Sequence, residues 1–286
     1  MLQQTQVATV IPYFNRFIKN IPDLETLANF ENHKLIKLWE GLGYYSRVRN
    51  LKKTAQLVVK KFDKKLPRNY LELKSLPGIG DYTASAISAI AFNKSIIPLD
   101  GNIERVLKRY LYLKKENEIN KENLIKKKEI FGYSSRASDY AQALMELGAL
   151  ICKPSNPHCE QCPISSKCIA LKKKDFLLTK IKKKNNNKYY LLKVYKDKNK
   201  YLLIKNTKFN FLKNFSIFPM QELSKPTSST DIVNFKMSNM NMNIKIEHKN
   251  KVGSFPTSHW IDPKKLKNYT LPTFTKRIVR YLESNK

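Results

Sequence analysis

The chain has 286 residues, 42% of them hydrophobic, which is enough to build a core in each of two domains. Its 54 lysines and arginines face only 23 acidic residues, and the formal net charge of +31 points to a polyanionic partner, nucleic acid first. Codon drift toward Lys, Asn and Ile accounts for part of that excess, but Glu shares such codons and stays scarce; a membrane surface is the rival partner. No apolar run nears the roughly 20 residues that a bilayer demands. The start, MLQQTQVATVIPYF, lacks the basic region and small-residue cleavage site of a signal peptide, so no membrane segment is expected. All 4 cysteines fall in one short stretch, which argues against a distributed disulfide framework and for a reducing cytoplasm.

From Thr5 to Lys19 the residues Val7, Val10, Ile11, Phe14, Phe17 and Ile18 recur at helical spacing and predict a helix packed on a neighbour. Amphipathic helices are expected again over Glu31–Glu40, Ser46–Phe62, Tyr82–Phe92, Asn102–Tyr110 and Ser134–Ile151, with Gly and Pro at the joints. Residues 1–171 therefore read as an all-α domain. The run KKKDFLLTKIKKKNNNK, mostly Lys and Asn, reads as a linker over residues 172–187. Beyond it YYLLKVY and YLLIK, separated by the turn-like KDKNK, predict a β-hairpin that opens a small α+β domain over 188–286.

The sharpest chemical signal is C-x6-C-x2-C-x5-C, formed by Cys152, Cys159, Cys162 and Cys168. Four soft thiolates in one loop broken by Pro154, Pro157 and Pro163 suit an iron–sulfur cluster of the 4Fe-4S type. Zinc is the alternative, although finger ligands usually come as two separated pairs. Lys153 and Lys167 beside the ligands suit phosphate contacts, or are simply solvated lysines.

In LPGIGDYTASAISAI, residues 76–90, Gly78 and Gly80 allow a tight turn between two helices. Free N–H groups at the start of the second helix then make a sequence-independent phosphate site, the arrangement of a helix-hairpin-helix. Downstream, Asp100 in IIPLDGNIERV precedes a predicted helix. A carboxylate fixed beside a cleft can stabilise the oxocarbenium-like sugar that forms as a glycosidic bond breaks. Capping the helix is the plainer role, and one carboxylate can do both.

Taken in order, MLQQTQVATVIPYF, LWEGLGYYSRVRNL, LPGIGDYTASAI, PLDGNIERV, ALMELGALIC and the cysteine spacing resemble the MutY-type adenine DNA glycosylases of the endonuclease III superfamily. The resemblance covers residues 1–170. It implies a helix-hairpin-helix glycosylase domain with an iron–sulfur loop, followed by a small Nudix-like α+β domain. It also implies a monomeric base-excision repair enzyme acting on double-stranded DNA, which flips out and releases adenine mispaired with 8-oxoguanine or guanine.

By position, Asp100 matches the catalytic aspartate and Asn102 its neighbour. Gln4 and Tyr44 match residues that wedge into the base stack, with Gln3 and Thr5 beside them on the DNA, although Tyr44 also suits an aromatic core with Trp39 and Tyr45. Leu2 and Gln142 match positions around the adenine. Tyr82 stands where strand-cutting relatives carry a Schiff-base lysine; a phenol cannot form that bond, so a monofunctional hydrolase is implied. An endonuclease III-like enzyme acting on pyrimidine lesions is the runner-up, against which Tyr82 and the second domain speak.

The family motif continues upstream of Met1, where its general-acid glutamate lies two residues before the methionine. General acids contribute roughly 10²–10⁴ in rate, so the chain as it stands is expected to be nearly inactive. Either the true start lies further upstream, or the chain is a lesion-binding protein that no longer catalyses.

In the second domain FSIFPMQEL and LPTFTKRIV match the family loosely. No Glu-rich Nudix box follows the first strands, so magnesium-dependent nucleotide hydrolysis is not expected. The family's Phe-Ser-His lesion-reading pattern meets FPTSHW here: Ser258 and His259 match, while Thr257 takes the place of the aromatic, for which Phe255 or Trp260 are substitutes.

Overall fold

The computed structural model describes residues 1–2, 5–177, 186–226, 232–237, 240–251, 253 and 255–284. Contacts divide the chain into two compact units: Met1–Arg49 together with Lys183–Lys286, and Asn50–Lys182. This grouping differs from the sequence-based partition at residues 171 and 188, because it gathers the N-terminal helices with the C-terminal sheet.

The first unit opens with helices α1 (Val7–Asn20), α2 (Leu24–Asn29) and α3 (Asn32–Leu38). Val10 and Phe17 face inward from α1, and Phe17 meets the indole of Trp39 edge-on at 6.2 Å between centroids. Val7, Ile11, Phe14 and Ile18, expected to pack, form an exposed stripe instead. Helix α2 escaped the periodicity reading because six residues are less than two turns; Asp23 caps it by accepting from the Thr26 N–H at 2.7 Å.

Helix α4 (Ser46–Lys61) leads into the second unit, where Ala55 and Val58 are fully buried. It is followed by α5 (Tyr70–Ser75), α6 (Asp81–Ile90), α7 (Gly101–Tyr110), α8 (Lys121–Lys127), α9 (Ala137–Glu146) and α10 (Ile169–Lys172). The short α5 and α8 are each started by an asparagine cap, Asn69 and Asn120. The turn between α5 and α6 is tied down where the Thr54 hydroxyl donates to the Pro77 carbonyl at 2.8 Å. Gly78 has φ +78°, and a Cβ there would stand 2.8 Å from Asn50 Cβ, so only glycine lets the hairpin lie this close to α4. Helix α9 passes into a π-helical turn, Leu147–Ile151, in which the Cys152 N–H reaches back five residues to the Leu147 carbonyl at 2.7 Å.

The sheet of the first unit contains β1 (Asn186–Asp197), β2 (Lys200–Lys205), β3 (Ser216–Ile217), β4 (Met220–Leu223), β5 (Ile232–Met237), β6 (Met240–Lys249) and β7 (Ser258–Ile261). Its main order is β3-β2-β1-β6-β5, with β4 also paired to β1 and β7 to β2. The expected hairpin is present, with Lys196 opposite Tyr201. β1 begins at Asn186, inside the stretch read as linker, and runs parallel to β6 with Tyr190 opposite Ile244 and Leu192 opposite Ile246. Alternation along β1 buries Tyr190, Leu192 and Val194 on one face. Helix α11 (Thr273–Ser284) covers that face with Phe274, Ile278, Val279 and Leu282.

Within this unit the N-terminal helices hold the sheet by specific contacts. Tyr45 packs on Phe215 at 4.4 Å between ring centroids, and the Arg49 guanidinium lies over the same ring while donating to the Lys213 carbonyl at 3.0 Å. The Glu40 carboxylate joins Lys37 at 2.9 Å and Lys276 of α11. Among the described residues no helix is long and apolar enough to cross a membrane.

Burial is the largest influence on Glu40 and acts upward, yet Lys276 and Lys37 together bring its carboxyl below the usual range. A depressed folded-state pKa gives stability that is present above the unfolded value, near 4.3, and is lost as pH falls through the folded value. Glu40→Gln is expected to lower unfolding free energy by about 1 kcal/mol at neutral pH. In denaturant titrations the difference from wild type should shrink progressively below about pH 4.

Candidate functional site

The start of α7 carries the densest chemistry of the second unit. Asp100 is its N-cap: Oδ1 accepts from the backbone N–H groups of Asn102 at 2.9 Å and Ile103 at 2.7 Å. Oδ2 accepts from Asn102 Nδ2 at 3.2 Å. The capping role read from sequence is therefore present, and it fixes the carboxylate at the positive end of a helix, where negative charge is favoured. Burial, and after it the Asp100 charge, push the Tyr82 phenol above its ordinary value, so a neutral hydroxyl lies within the electrostatic reach of that carboxylate.

Two residues missed from sequence hold Asn102. Arg105 Nη2 donates to Asn102 Oδ1 at 2.9 Å, while its Nε donates to the Cys152 carbonyl at 2.8 Å and Nη2 also reaches the Gly148 carbonyl. Gly148 sits against Asn102 so closely that an added Cβ would meet Asn102 Cβ at 2.6 Å and its carbonyl oxygen at 2.8 Å. The only sequence signal for either residue was a lone glycine inside an apolar helix and an arginine one turn after Asp100. Gln142 is exposed on α9, its amide donating to the Ser138 carbonyl at 3.2 Å.

One turn beyond Arg105, Arg109 is 3% exposed and clamps the cysteine loop. Its guanidinium donates to the carbonyls of Lys153 at 2.6 Å, Pro154 at 2.8 Å and Phe176 at 3.3 Å, and to Cys152 Sγ at 3.3 Å. Cys152, Cys159, Cys162 and Cys168 line one pocket together with Arg109 and Leu171. Burial first, then the negative charge of the other three sulfurs, pushes the Cys159 thiol up; burial likewise raises Cys162. Among the described residues no three His, Cys, Asp or Glu side chains converge closely enough to hold a single metal ion. The four thiols face one pocket and are the side chains that would hold an iron–sulfur cluster there.

At the hairpin, Gly80 precedes α6 and no side chain caps that helix. Asp81, which no spacing in the sequence singles out, lies in its first turn. Its carboxylate pairs with Lys74 at 2.6 Å and Lys121 at 2.9 Å and accepts from the Tyr70 hydroxyl at 3.2 Å, contacts that hold it far below the usual carboxylate range. Two lysines are thereby gathered beside the turn.

The remaining sequence candidates belong to the first unit. Gln3 and Gln4 lie outside the described residues. Leu2 is exposed, and the Thr5 hydroxyl accepts from Arg47 Nη2 at 3.5 Å. Tyr44 is also exposed, whereas Trp39 and Tyr45, the other members of the expected aromatic cluster, are buried. Ser258 and His259 are exposed on β7, opposite Ile204 and Leu203 of β2. Partial desolvation of the otherwise exposed His259 ring lowers its pKa and favours the neutral imidazole. Of the two substitute aromatics, Phe255 is engaged edge-on with Tyr195 at 5.6 Å, and Trp260 stands opposite Leu202.

Residues 1–129 match the model of the HhH-GPD superfamily of base excision DNA repair proteins. An adenine DNA glycosylase of Buchnera aphidicola subsp. Baizongia pistaciae is 42% identical over 74% of this chain and 56% of its own length. The human adenine DNA glycosylase is 41% identical over 59% of this chain and 32% of its own. The chain thus spans little more than half of the first of these curated relatives. Among solved structures, a thermostable thymine-DNA glycosylase superposes with a TM-score of 0.54 at 27% identity, covering 60% of this chain and 80% of that one. A non-covalent endonuclease III–DNA complex, at 24% identity and a TM-score of 0.52 over the same shares of the two chains, has the same helical fold.

The Gly148–Asn102 contact gives a direct test of this packing. Gly148→Ala is expected to cost about 1–3 kcal/mol, as overpacking does. Gly80→Ala, where an added Cβ meets nothing within 4 Å, should stay within about 0.5 kcal/mol of wild type in the same denaturant titration.

Proposed function

We propose that the chain is a monofunctional adenine DNA glycosylase of base-excision repair, hydrolysing the N-glycosidic bond of adenine mispaired with 8-oxoguanine or guanine in double-stranded DNA. The observation that carries this reading is the helix-capped Asp100 in a chain 42% identical to an adenine DNA glycosylase. Asp100 stabilises the oxocarbenium-like sugar as the bond to adenine lengthens, and Asn102 and the α7 amides keep the carboxylate from turning away. Tyr82 supplies no amine for a Schiff base, so water completes the reaction.

In this reading Cys152, Cys159, Cys162 and Cys168 hold a 4Fe-4S cluster, which ties the loop carrying Lys153 and Lys167 into one body for phosphate contact. Leu2, Gln3, Gln4, Thr5 and Tyr44 engage the duplex around the mispair, Gln142 borders the adenine, and the turn at Gly78 and Gly80 meets the backbone. Ser258 and His259 read the opposite base. The functional partition is a glycosylase domain over 1–171, a linker over 172–187 and a lesion-recognition domain over 188–286. The protein acts as a monomer in the cytoplasm, where it reaches chromosomal DNA.

Under single-turnover conditions protein prepared with the family's general-acid glutamate upstream of Met1 should release adenine from a duplex containing adenine opposite 8-oxoguanine, and Asp100→Asn in that protein should slow release by roughly 10²-fold or more. Undiminished release by Asp100→Asn would sink the mechanism. Purified chain should also contain iron and acid-labile sulfide, and Cys159→Ser should lose both; equimolar zinc in their place would overturn the cluster assignment.

A further inference from the structure

The loop between α3 and α4 holds Tyr44 in a conformation that costs energy. Tyr44 has φ +45°, in the left-handed region that an aromatic residue rarely adopts, between Gly43 at φ +68° and the buried Tyr45. Its ring is 47% exposed while Trp39, Leu42 and Tyr45 around it are buried. A strained backbone that presents an apolar ring to solvent needs something to over-determine it.

The contacts name that element. Arg47 Nη2 donates to the carbonyls of Leu42 at 3.2 Å and Gly43 at 3.4 Å, the two residues immediately before Tyr44. Trp39 Nε1 donates to the same Gly43 carbonyl at 3.1 Å. The guanidinium carbon lies 5.5 Å from the Tyr44 ring centroid and 5.4 Å from that of Trp39, so the cation backs the exposed ring and the buried one together. Its Nη1 donates to the Met1 carbonyl at 2.9 Å, and Nη2 reaches the Thr5 hydroxyl at 3.5 Å. One side chain therefore holds the Gly41–Tyr44 loop and also contacts Met1 and Thr5.

We infer that Arg47, assisted by the indole N–H of Trp39, is a positioning residue that holds Tyr44 pre-set in its strained, outward conformation for insertion into a DNA base stack. This rests on the reading of Tyr44 as a wedge. Arg47 itself acts through the loop. Lysine could keep the charge but could not span two carbonyls on one side and Met1 on the other, because it lacks the planar fork.

The test uses the full chain and a duplex with 2-aminopurine beside an adenine opposite 8-oxoguanine, reading unstacking by fluorescence and affinity by titration. Tyr44→Ala should abolish the unstacking signal. Arg47→Met should reduce the unstacking equilibrium roughly 10- to 100-fold, as expected for lost charge-assisted hydrogen bonds. Trp39→Phe, which keeps the buried ring, should reduce it by up to about tenfold. Arg47→Lys should recover little of the loss. In the Tyr44→Ala background, Arg47→Met should have no further effect, and thermal unfolding of each variant reports whether the fold is intact.

If Tyr44→Ala unstacks as well as wild type, the wedge reading itself fails. If Tyr44→Ala loses the signal but folded Arg47→Met and Trp39→Phe keep it, or if the Arg47→Met effect adds undiminished to Tyr44→Ala, the wedge stands and the positioning role is overturned.

Discussion

A buried cation organises the second unit. Arg109 is almost wholly removed from water, and its hydrogen-bond acceptors among the described residues are four carbonyls, of Cys152, Lys153, Pro154 and Phe176, and the Cys152 sulfur, with no carboxylate among them. Leaving such a charge unpaired would cost several kcal/mol, so the loop that supplies these acceptors cannot leave without penalty. On the proposed reading the four thiolates provide the missing negative charge. The cysteine loop and α7 are then one electrostatic object. Arg105, one turn away, extends it to Asn102 and so to the Asp100 cap.

Charge elsewhere is arranged locally rather than spread evenly. The excess of +31 suits a polyanion, yet the scarce acidic groups are spent at particular places. Asp81 gathers Lys74 and Lys121 at the hairpin, and Glu40 gathers Lys37 and Lys276 where α11 meets the N-terminal helices. A carboxylate that collects lysines fixes where positive potential sits, which matters more for meeting a phosphate track than the total does.

Much of the helical half was legible in the sequence because long periodic stretches dominate it. α1, α4 and α7 lie where apolar spacing put them, and Asp100 caps as its place before GNIERV implied. The short helices α2, α5 and α8 were not read, since six or seven residues carry too little period and their signal is a single capping side chain. Gly148 and Arg105 were missed for another reason: their roles depend on how closely two helices approach, which spacing along one helix does not encode. The same limit hid the parallel pairing of β1 with β6, two strands more than forty residues apart that no turn signal links. The exposed face of α1 shows the converse, a pattern correctly read as helical whose burial the pattern could not guarantee.

The grouping of residues 1–49 with 183–286 gives the chain an order of assembly. Residues 50–182 are contiguous and rich in local helical contacts, so they can acquire structure while synthesis continues. The other unit cannot close until α11 has left the ribosome, because Lys276 and the apolar face of α11 complete what Glu40 and β1 begin. Until then the N-terminal helices lack the sheet and helix that complete them, and an apolar surface left open in this way is what makes incomplete folds prone to aggregate.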